Sequence, residues 1–420
     1  MPWVHYIDPA TYIPHAIRRK PIRAVYTADT LRNIAVHLFS VFEPFYLYMI
    51  FKTHGFAHPE ALVFLYYGAL YVPFSYLSVF AVRFLPRFGF RILALISVPF
   101  LLGYYLALFR AQANPAFLFL AVALLLIRFS LFWPAYHVYF ARTSEPRRRA
   151  TEIGNLAVLA AVASAVSPAV GGIILETLGF PILFGIVFGL VFLSAIPYAV
   201  ADIREGHRGS LKPILHKLEE PGGRRAALAF FGQGIEESAA TVAWPLFLAL
   251  LAFSFRELGF LTMAATAVGL ITTLFISRLV DHRGRKPLLL MGAPLTAMMW
   301  ASRVVVFSPV TAFIANLLVG MTRPLVMIPF TAGFYDHIAM ASRDEQMHAV
   351  LFREFALNFV GRGVFFFGGA ALLWFNGSLR LLLAAAVPAT FLMIFIIRWA
   401  TPPGFHGQTA PLASITAASR

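Results

Sequence analysis

Twelve long apolar stretches constrain the fold of this chain more than any other feature. Each reaches the roughly 20 residues that an α-helix needs to cross the hydrocarbon of a bilayer. None alternates between apolar and polar residues as a barrel strand does, so the sequence predicts an all-α membrane protein with twelve transmembrane helices. The stretches lie near residues 31–51, 60–82, 91–109, 116–138, 152–175, 181–201, 226–252, 259–277, 287–307, 309–335, 349–374 and 379–399.

Composition supports a membrane protein and gives its orientation. Hydrophobic residues make up 60% and charged residues 13% of the 420 residues, whereas a soluble domain has about 25% charged residues. Most of the 34 Lys and Arg residues fall in the N-terminal arm, the C-terminal end and alternate loops, and the opposite loops hold only Lys52, Arg110, Arg256 and Arg380. We therefore expect a multi-pass protein of the cytoplasmic membrane with both termini cytoplasmic, and we attribute the net charge of +15 to topology rather than to nucleic-acid binding.

Loop composition divides the chain into five predicted parts. A cytoplasmic arm at 1–30 precedes a six-helix bundle at 31–201, and a charged linker at 202–225 precedes a second bundle at 226–400. The tail at 401–420 is rich in Pro, Gly, Ala, Ser and Thr, a composition typical of disorder.

The two halves are related by an internal duplication. A single offset of 195 positions aligns the loop after the second stretch with the loop after the eighth, and the middle of the fourth stretch with the middle of the tenth. Because each half has six spans, both copies run the same way through the membrane, which predicts two pseudo-symmetric six-helix bundles. The aligned pairs are Arg83 with Arg278, Gly89 with Gly284, Arg91 with Lys286, Arg128 with Arg323, and Pro134 with Pro329.

The loop after the eighth stretch contains Asp281, Arg283, Gly284, Arg285 and Lys286. These residues cannot lie in hydrocarbon, so they predict a tight loop at the membrane surface. The loop resembles the short loop motif of the major facilitator superfamily, which implies a monomeric secondary transporter with two bundles that rock around a central site. The resemblance also implies that Asp281 and its basic neighbours latch the cytoplasmic gate against the start of the fifth helix. The first-half copy departs from the motif, because proline occupies the position of Asp281.

A second resemblance lies in the fifth stretch, where Pro168, Gly171 and Gly172 form part of a Pro-x-x-Gly-Gly pattern. This pattern is similar to one found in drug–proton antiporters of the same superfamily. Small residues and a proline also allow close packing between helices, which explains the pattern without any antiporter function.

Ionisable residues in the middle of a span are costly and need a partner or a wet cavity. The first, fourth, seventh and tenth stretches each carry at least one such residue, and in the fold that the chain resembles these helices line the central cavity. The ionisable candidates are Glu43, Arg128, Glu236, Glu237 and Arg323. Glu354 and Arg362 form a further polar stripe on the eleventh stretch, whereas Arg303 lies near a span end and is expected to snorkel out of the membrane.

Helical spacing adds further cavity candidates to these charges. His37 lies on the face of Glu43, Gln233 on the face of Glu237, and Tyr136 on the face of Arg128. Trp244 follows Glu237 by seven residues and is placed on its face, although an aromatic residue here is also typical of helix packing. A single histidine in a span is more often a hydrogen-bonding residue than a proton shuttle.

Two interpretations of the charges stay open. The glutamates could bind and release protons between two conformations, with Arg128 and Arg323 as counter-charges or as ligands of an anionic substrate. Alternatively, the charges could form structural Glu–Arg pairs that hold the two halves together and do not titrate.

The sequence shows no features of an enzyme. It lacks a phosphate-binding glycine-rich loop, a Gly-x-Ser-x-Gly turn, a metal-ligand spacing and any cysteine, and we expect no cofactor and no metal. The first hypothesis is proton-coupled efflux of a small hydrophobic or amphipathic compound. The second is uptake of an organic anion that uses Arg128 and Arg323, and the third, of another class, is a membrane sensor or scaffold that transports nothing.

Overall fold

The computed structural model describes residues 20–81, 84–143, 149–200, 222–251, 253–340 and 343–397, and all regular structure in these ranges is helical. Helices occupy all twelve predicted positions. They are α1 (Lys20–Phe39, continued as Glu43–Thr53), α2 (Pro59–Ala81), α3 (Leu85–Ala111), α4 (Phe117–Thr143), α5 (149–178), α6 (180–200), α7 (223–250), α8 (Phe255–Arg283), α9 (Arg285–Val304), α10 (Pro309–Met340), α11 (343–374) and α12 (379–396).

The all-helical membrane fold is confirmed, whereas the number of crossings is confirmed only in part. Eight described helices are long and apolar enough to span a bilayer, and the bent pair 27–39 and 43–53 makes a ninth. One of the eight, Ala165–Ala199, contains both α5 and α6, which are separated by a break at Gly179. Neither α7 nor α9 is counted among them.

The first helix differs from the sequence prediction. We expected α1 to begin near residue 31, but the structure begins it at Lys20. The residues from Lys20 to Asp29 contain one proline, Pro21, which lies in the first turn where a proline does not interrupt helical hydrogen bonds. The rest of the predicted arm, residues 202–221 of the linker and the tail lie outside the described residues.

The two bundles meet along two seams, α5 against α8 and α2 against α11. A methyl group at Gly171 would collide with the carbonyl oxygen of Leu38 in α1, and one at Gly172 would collide with that of Phe255 in α8. The glycines beside Pro168 therefore let α5 pack tightly between its own bundle and the other one. This contact supplies the packing explanation of the motif, and its antiporter meaning stays a prediction.

The duplicated loops have the same backbone conformation. Gly89 has φ 71° and ψ 168°, and Gly284 has φ 79° and ψ 166°. Residues other than glycine rarely adopt such a positive φ, which explains why the duplication keeps glycine at this position. Arg283 and Lys286 are exposed beside Gly284, whereas the side chain of Asp281 lies outside the described part, so the gate stays a prediction.

Candidate functional site

A bend in α1 places Glu43 at the start of a helical segment inside the membrane. Pro44 has no N–H to donate to the carbonyl of Ser40, and the two parts of α1 meet at 42°. Glu43 occupies the first turn of the second part. Free N–H groups at a helix start favour negative charge, so the backbone here can support a carboxylate.

Tyrosines surround the Glu43 carboxylate. Glu43 is half-buried and accepts a hydrogen bond of 2.9 Å from the Tyr67 hydroxyl. The hydroxyls of Tyr66 and Tyr104 are also buried near Glu43. Neither hydroxyl has a hydrogen-bond partner among the described residues. No described basic side chain forms an ion pair with Glu43.

Glu237 is held by an ion pair that reaches the other bundle through an aromatic ring. Its carboxylate lies 2.6 Å from Nη2 of Arg362 and accepts a hydrogen bond of 2.8 Å from Gln233. The Arg362 guanidinium lies 4.1 Å from the ring centroid of Tyr71 in α2, and Tyr71 stacks at 6.4 Å on Tyr67, the residue that donates to Glu43. Tyr71 therefore connects the two predicted carboxylates across the seam between the bundles.

Two π-helical turns adjoin this ion pair. One covers Ala239–Ala243 in α7, directly after Glu237 and Ser238, and the other covers Phe355–Arg362 in α11 and ends on the arginine itself. A methyl group at Gly234 would collide with the carbonyl oxygen of Leu357, so α7 and α11 cross at close range here. Such turns are frequently found at functional sites.

Glu236 is fully satisfied within the second bundle. Its side chain accepts two hydrogen bonds from Arg323, of 2.8 and 3.0 Å, and a third of 3.2 Å from the indole N–H of Trp300. Glu236 is 1% exposed, and this fork geometry is the strongest form of a carboxylate–arginine contact. The arrangement matches a structural ion pair.

Arg128 has no such partner. It is 4% exposed and forms no hydrogen bond or ion pair with a described residue. Its guanidinium lies over the rings of Phe132 and Phe129, at 4.6 and 5.3 Å from their centroids. The two arginines predicted as counter-charges thus behave differently, because Arg323 pairs with Glu236 and Arg128 pairs with no described carboxylate.

The remaining candidates have local partners. His37 contacts the carbonyl oxygen of Asn33 through Nδ1 at 2.8 Å. Tyr136 stacks on Phe132 with 5.5 Å between ring centroids. The Trp244 indole donates to the side chain of Asn316 at 2.9 Å.

Arg303 corrects a prediction, because it does not snorkel out of the membrane. It is 5% exposed and lies 4.4 Å from the ring centroids of both Trp244 and Trp300, and it donates to Asn316 at 2.8 Å. The faces of two indoles stabilise the buried cation in place of water. Trp244 accordingly belongs to this cluster of rings and polar groups between α7, α9 and α10.

Sequence reasoning missed the tyrosines of α2 and α3. Tyr66, Tyr67, Tyr71 and Tyr104 surround Glu43 or lie between it and Glu237, and none of them is among the predicted cavity residues. The i, i+4 spacing of Tyr67 and Tyr71 is the one signal that could have placed two hydroxyls on one face. Among the described residues, no group of three His, Asp or Glu side chains is placed to hold a metal ion.

Comparison with known proteins identifies the family. The profile described as Major Facilitator Superfamily matches residues 34–352. This chain belongs to the major facilitator superfamily. The chain is 26% identical over 286 residues to the uncharacterized protein YqgE of Bacillus subtilis (strain 168), a match that covers 66% of this chain and 64% of that relative.

Solved structures share the superfamily fold over nearly the whole chain. A D-xylose–proton symporter superimposes with a TM-score of 0.66 at 15% identity, covering 88% of this chain and 96% of that one. The Escherichia coli fucose–proton symporter FucP gives 0.63 at 11% identity, with 90% and 98% covered. The human organic anion transporter MFSD10 gives 0.66 at 13% identity, with 91% and 99% covered. At these identities the likeness shows the fold alone.

Proposed function

We propose that this member of the superfamily is a proton-coupled secondary transporter and that Glu43 carries the proton. One observation carries the proposal. Apart from Glu60 in the first turn of α2, the described spans hold five buried or half-buried carboxylates, and of these Asp29, Glu236, Glu237 and Glu354 each have an arginine partner, whereas Glu43 has none. A carboxylate that is desolvated without a cation favours its neutral form, so Glu43 is suited to take up a proton.

The contacts of Glu43 suggest how proton binding could be coupled to movement. Tyr67 can hydrogen-bond either form of the carboxyl group, and its ring stacks on Phe366 of α11 at 5.5 Å. Tyr71 stacks on the same Phe366 at 5.7 Å and lies beneath Arg362. Rocking of one bundle against the other would change the surroundings of Glu43 and thereby its preference for the proton.

The aromatic surroundings favour a small hydrophobic or amphipathic substrate. Tyr67, Tyr71, Phe366 and Phe129 form a continuous set of stacked or tilted rings beside Glu43. The ion pair beside Tyr71, Glu237 with Arg362, is neutral overall, so this end of the ring set gives little attraction for a strongly charged solute. We propose proton-driven efflux across the cytoplasmic membrane, with both termini cytoplasmic and Asp281 in the gate.

Proton flux in proteoliposomes tests this function. Addition of lipophilic dyes, with ethidium as the first probe, should drive proton movement through the wild-type protein. Glu43→Gln should reduce this flux by about tenfold or more, because an amide keeps the hydrogen bond to Tyr67 but cannot release a proton. Glu60→Gln, which alters a carboxylate in the first turn of α2 outside the site, is the matched control and should keep wild-type flux. Equal fluxes in wild-type protein and Glu43→Gln would contradict the proposal, and no flux with any dye would favour a sensor or scaffold.

Transport of an organic anion is the second candidate, favoured by the unpaired state of Arg128. A buried guanidinium without a carboxylate can bind a carboxylate or phosphate group of a substrate. Arg323, the other arginine expected in this role, is occupied by both oxygens of Glu236. The contacts therefore favour Arg128 over Arg323 as an anion ligand.

A further inference from the structure

The first bundle brings two buried arginines to a single aromatic ring. The guanidinium carbon of Arg32, in the first part of α1, lies 4.1 Å from the ring centroid of Phe132 in α4. That of Arg128 lies 4.6 Å from the same centroid. Arg32 is 7% exposed and Phe132 is completely buried, so both cations lie inside the protein.

Only one described carboxylate forms an ion pair with either of these two arginines. Asp29 forms an ion pair of 2.8 Å with Arg32 and accepts a hydrogen bond of 2.9 Å from the Tyr198 hydroxyl. Arg32 and Arg128 are close enough to repel each other. A buried charge without a partner is strongly destabilising, so the described residues leave a place for one negative charge.

Both arginines have buried N–H groups without acceptors. Nη1 of Arg32 and Nε of Arg128 form no hydrogen bond with a described residue. Guanidinium groups match the oxygens of carboxylates and phosphates. The rings of Phe132 and Trp133, which both arginines contact, could pack against an apolar body that carries such a group.

We propose that Arg32 and Arg128 form a binding site for an organic anion, a carboxylate or phosphate group on an apolar body. Asp29 competes with this ligand for Arg32. The proposal rests on the second candidate function and relocates its anion site from the pair Arg128 and Arg323 to a pair within the first bundle. Binding to this site requires no proton transfer at Glu43.

Ligand binding to the purified full-length protein in an uncharged detergent tests the site. Benzoate and phenyl phosphate should raise the melting temperature, whereas benzamide, the neutral analogue of benzoate, should not. Arg128→Gln and Arg32→Gln should each weaken benzoate binding by about tenfold or more, because one charged donor is lost. Arg303→Gln is the matched control: it removes an equally buried, ring-flanked arginine from the other bundle and should leave the Kd unchanged.

Three further variants separate binding from folding and from proton coupling. Arg128→Lys keeps the positive charge but loses the parallel N–H donors of the guanidinium. We therefore expect a folded protein that binds the anion more weakly. Asp29→Asn should tighten binding, because it removes the competing carboxylate, whereas a purely structural role for Asp29 predicts no gain. Glu43→Gln should bind benzoate normally even if it abolishes proton flux, so failure of this site and failure of the proposed transport mechanism are distinguishable.

The source of the anionic group is tested in lipid nanodiscs. If phosphatidylglycerol competes with benzoate and phosphatidylcholine does not, the site also accepts a lipid headgroup of the same chemistry, and the proposal stands. Equal stabilisation by benzamide and benzoate would overturn it. So would a benzoate Kd that is unchanged in folded Arg32→Gln and Arg128→Gln proteins, or the absence of binding by every anion.

Discussion

The two bundles treat equivalent charges in opposite ways. In the second bundle Arg323 forms a forked contact with Glu236, and Glu237 pairs with Arg362. In the first bundle Arg128, which the duplication aligns with Arg323, has no described carboxylate, and Glu43 has no described cation. These charges of the second bundle are therefore neutralised in pairs, whereas the first bundle holds one carboxylate and one arginine without a described counter-charge.

The duplication explains this difference at the level of single residues. The offset that aligns Arg128 with Arg323 places Val41 at the position of Glu236. A valine cannot accept a hydrogen bond, so Arg128 lies over aromatic rings instead. Tyr105 aligns with Trp300, and both Glu43 and Arg128 are charged neighbours of it. Valine in place of glutamate at this position thus accounts for the difference between the paired Arg323 and the unpaired Arg128.

The largest expected effect comes from breaking the pair in the second bundle. Glu236→Gln should destabilise the protein by about 2–3 kcal/mol, because it breaks the forked contact of a buried carboxylate and leaves the half-buried Arg323 without its counter-charge. Arg128→Gln, at the position that aligns with Arg323, breaks no described ion pair and should cost much less. Reversible unfolding in mixed detergent micelles measures both. Equal losses in the two variants would contradict the comparison, whereas recovery of stability in the double variant Glu236→Gln, Arg323→Gln would support it.

A smaller effect is expected from giving the first bundle the missing carboxylate. Val41→Glu should pair with Arg128, so a double-mutant cycle with Arg128→Gln should yield a favourable coupling of about 1–3 kcal/mol. The measurement is again the free energy of unfolding of the four proteins. Zero coupling would show that positions 41 and 128 do not face each other in the way that Glu236 and Arg323 do.

The smallest effect concerns the tyrosines around Glu43. Tyr67→Phe removes the one hydroxyl that donates to the carboxylate and should cost about 1 kcal/mol. Tyr66→Phe removes a neighbouring buried hydroxyl that has no described partner, so it should be neutral or slightly stabilising. Thermal unfolding of the two variants compares them directly. A larger loss of stability for Tyr66→Phe than for Tyr67→Phe would contradict the assignment of the hydrogen bond to Tyr67.

The sequence predicted the helices, and it located the charged residues within them, because both depend on local properties. Apolar runs of spanning length and charges within them can be read without knowing any contact. The partner of each charge cannot be read from the sequence alone. Glu237 pairs with Arg362 rather than Arg323, because α7 and α11 cross at close range. The wrong prediction for Arg303 has the same origin, because the indoles that shelter it come from α7 and from its own helix.

Infrared difference spectroscopy of the titrated protein tests the central claim most directly, because it detects the carbonyl band of a protonated carboxyl group. The account predicts that the wild-type protein shows a band that disappears as the pH rises, since Glu43 is neutral at low pH and charged at high pH. Near neutral pH, where exposed carboxyl groups are already charged, this band should be absent from Glu43→Gln and present in Glu237→Gln. A band that persists unchanged in Glu43→Gln would contradict the assignment of the proton to Glu43.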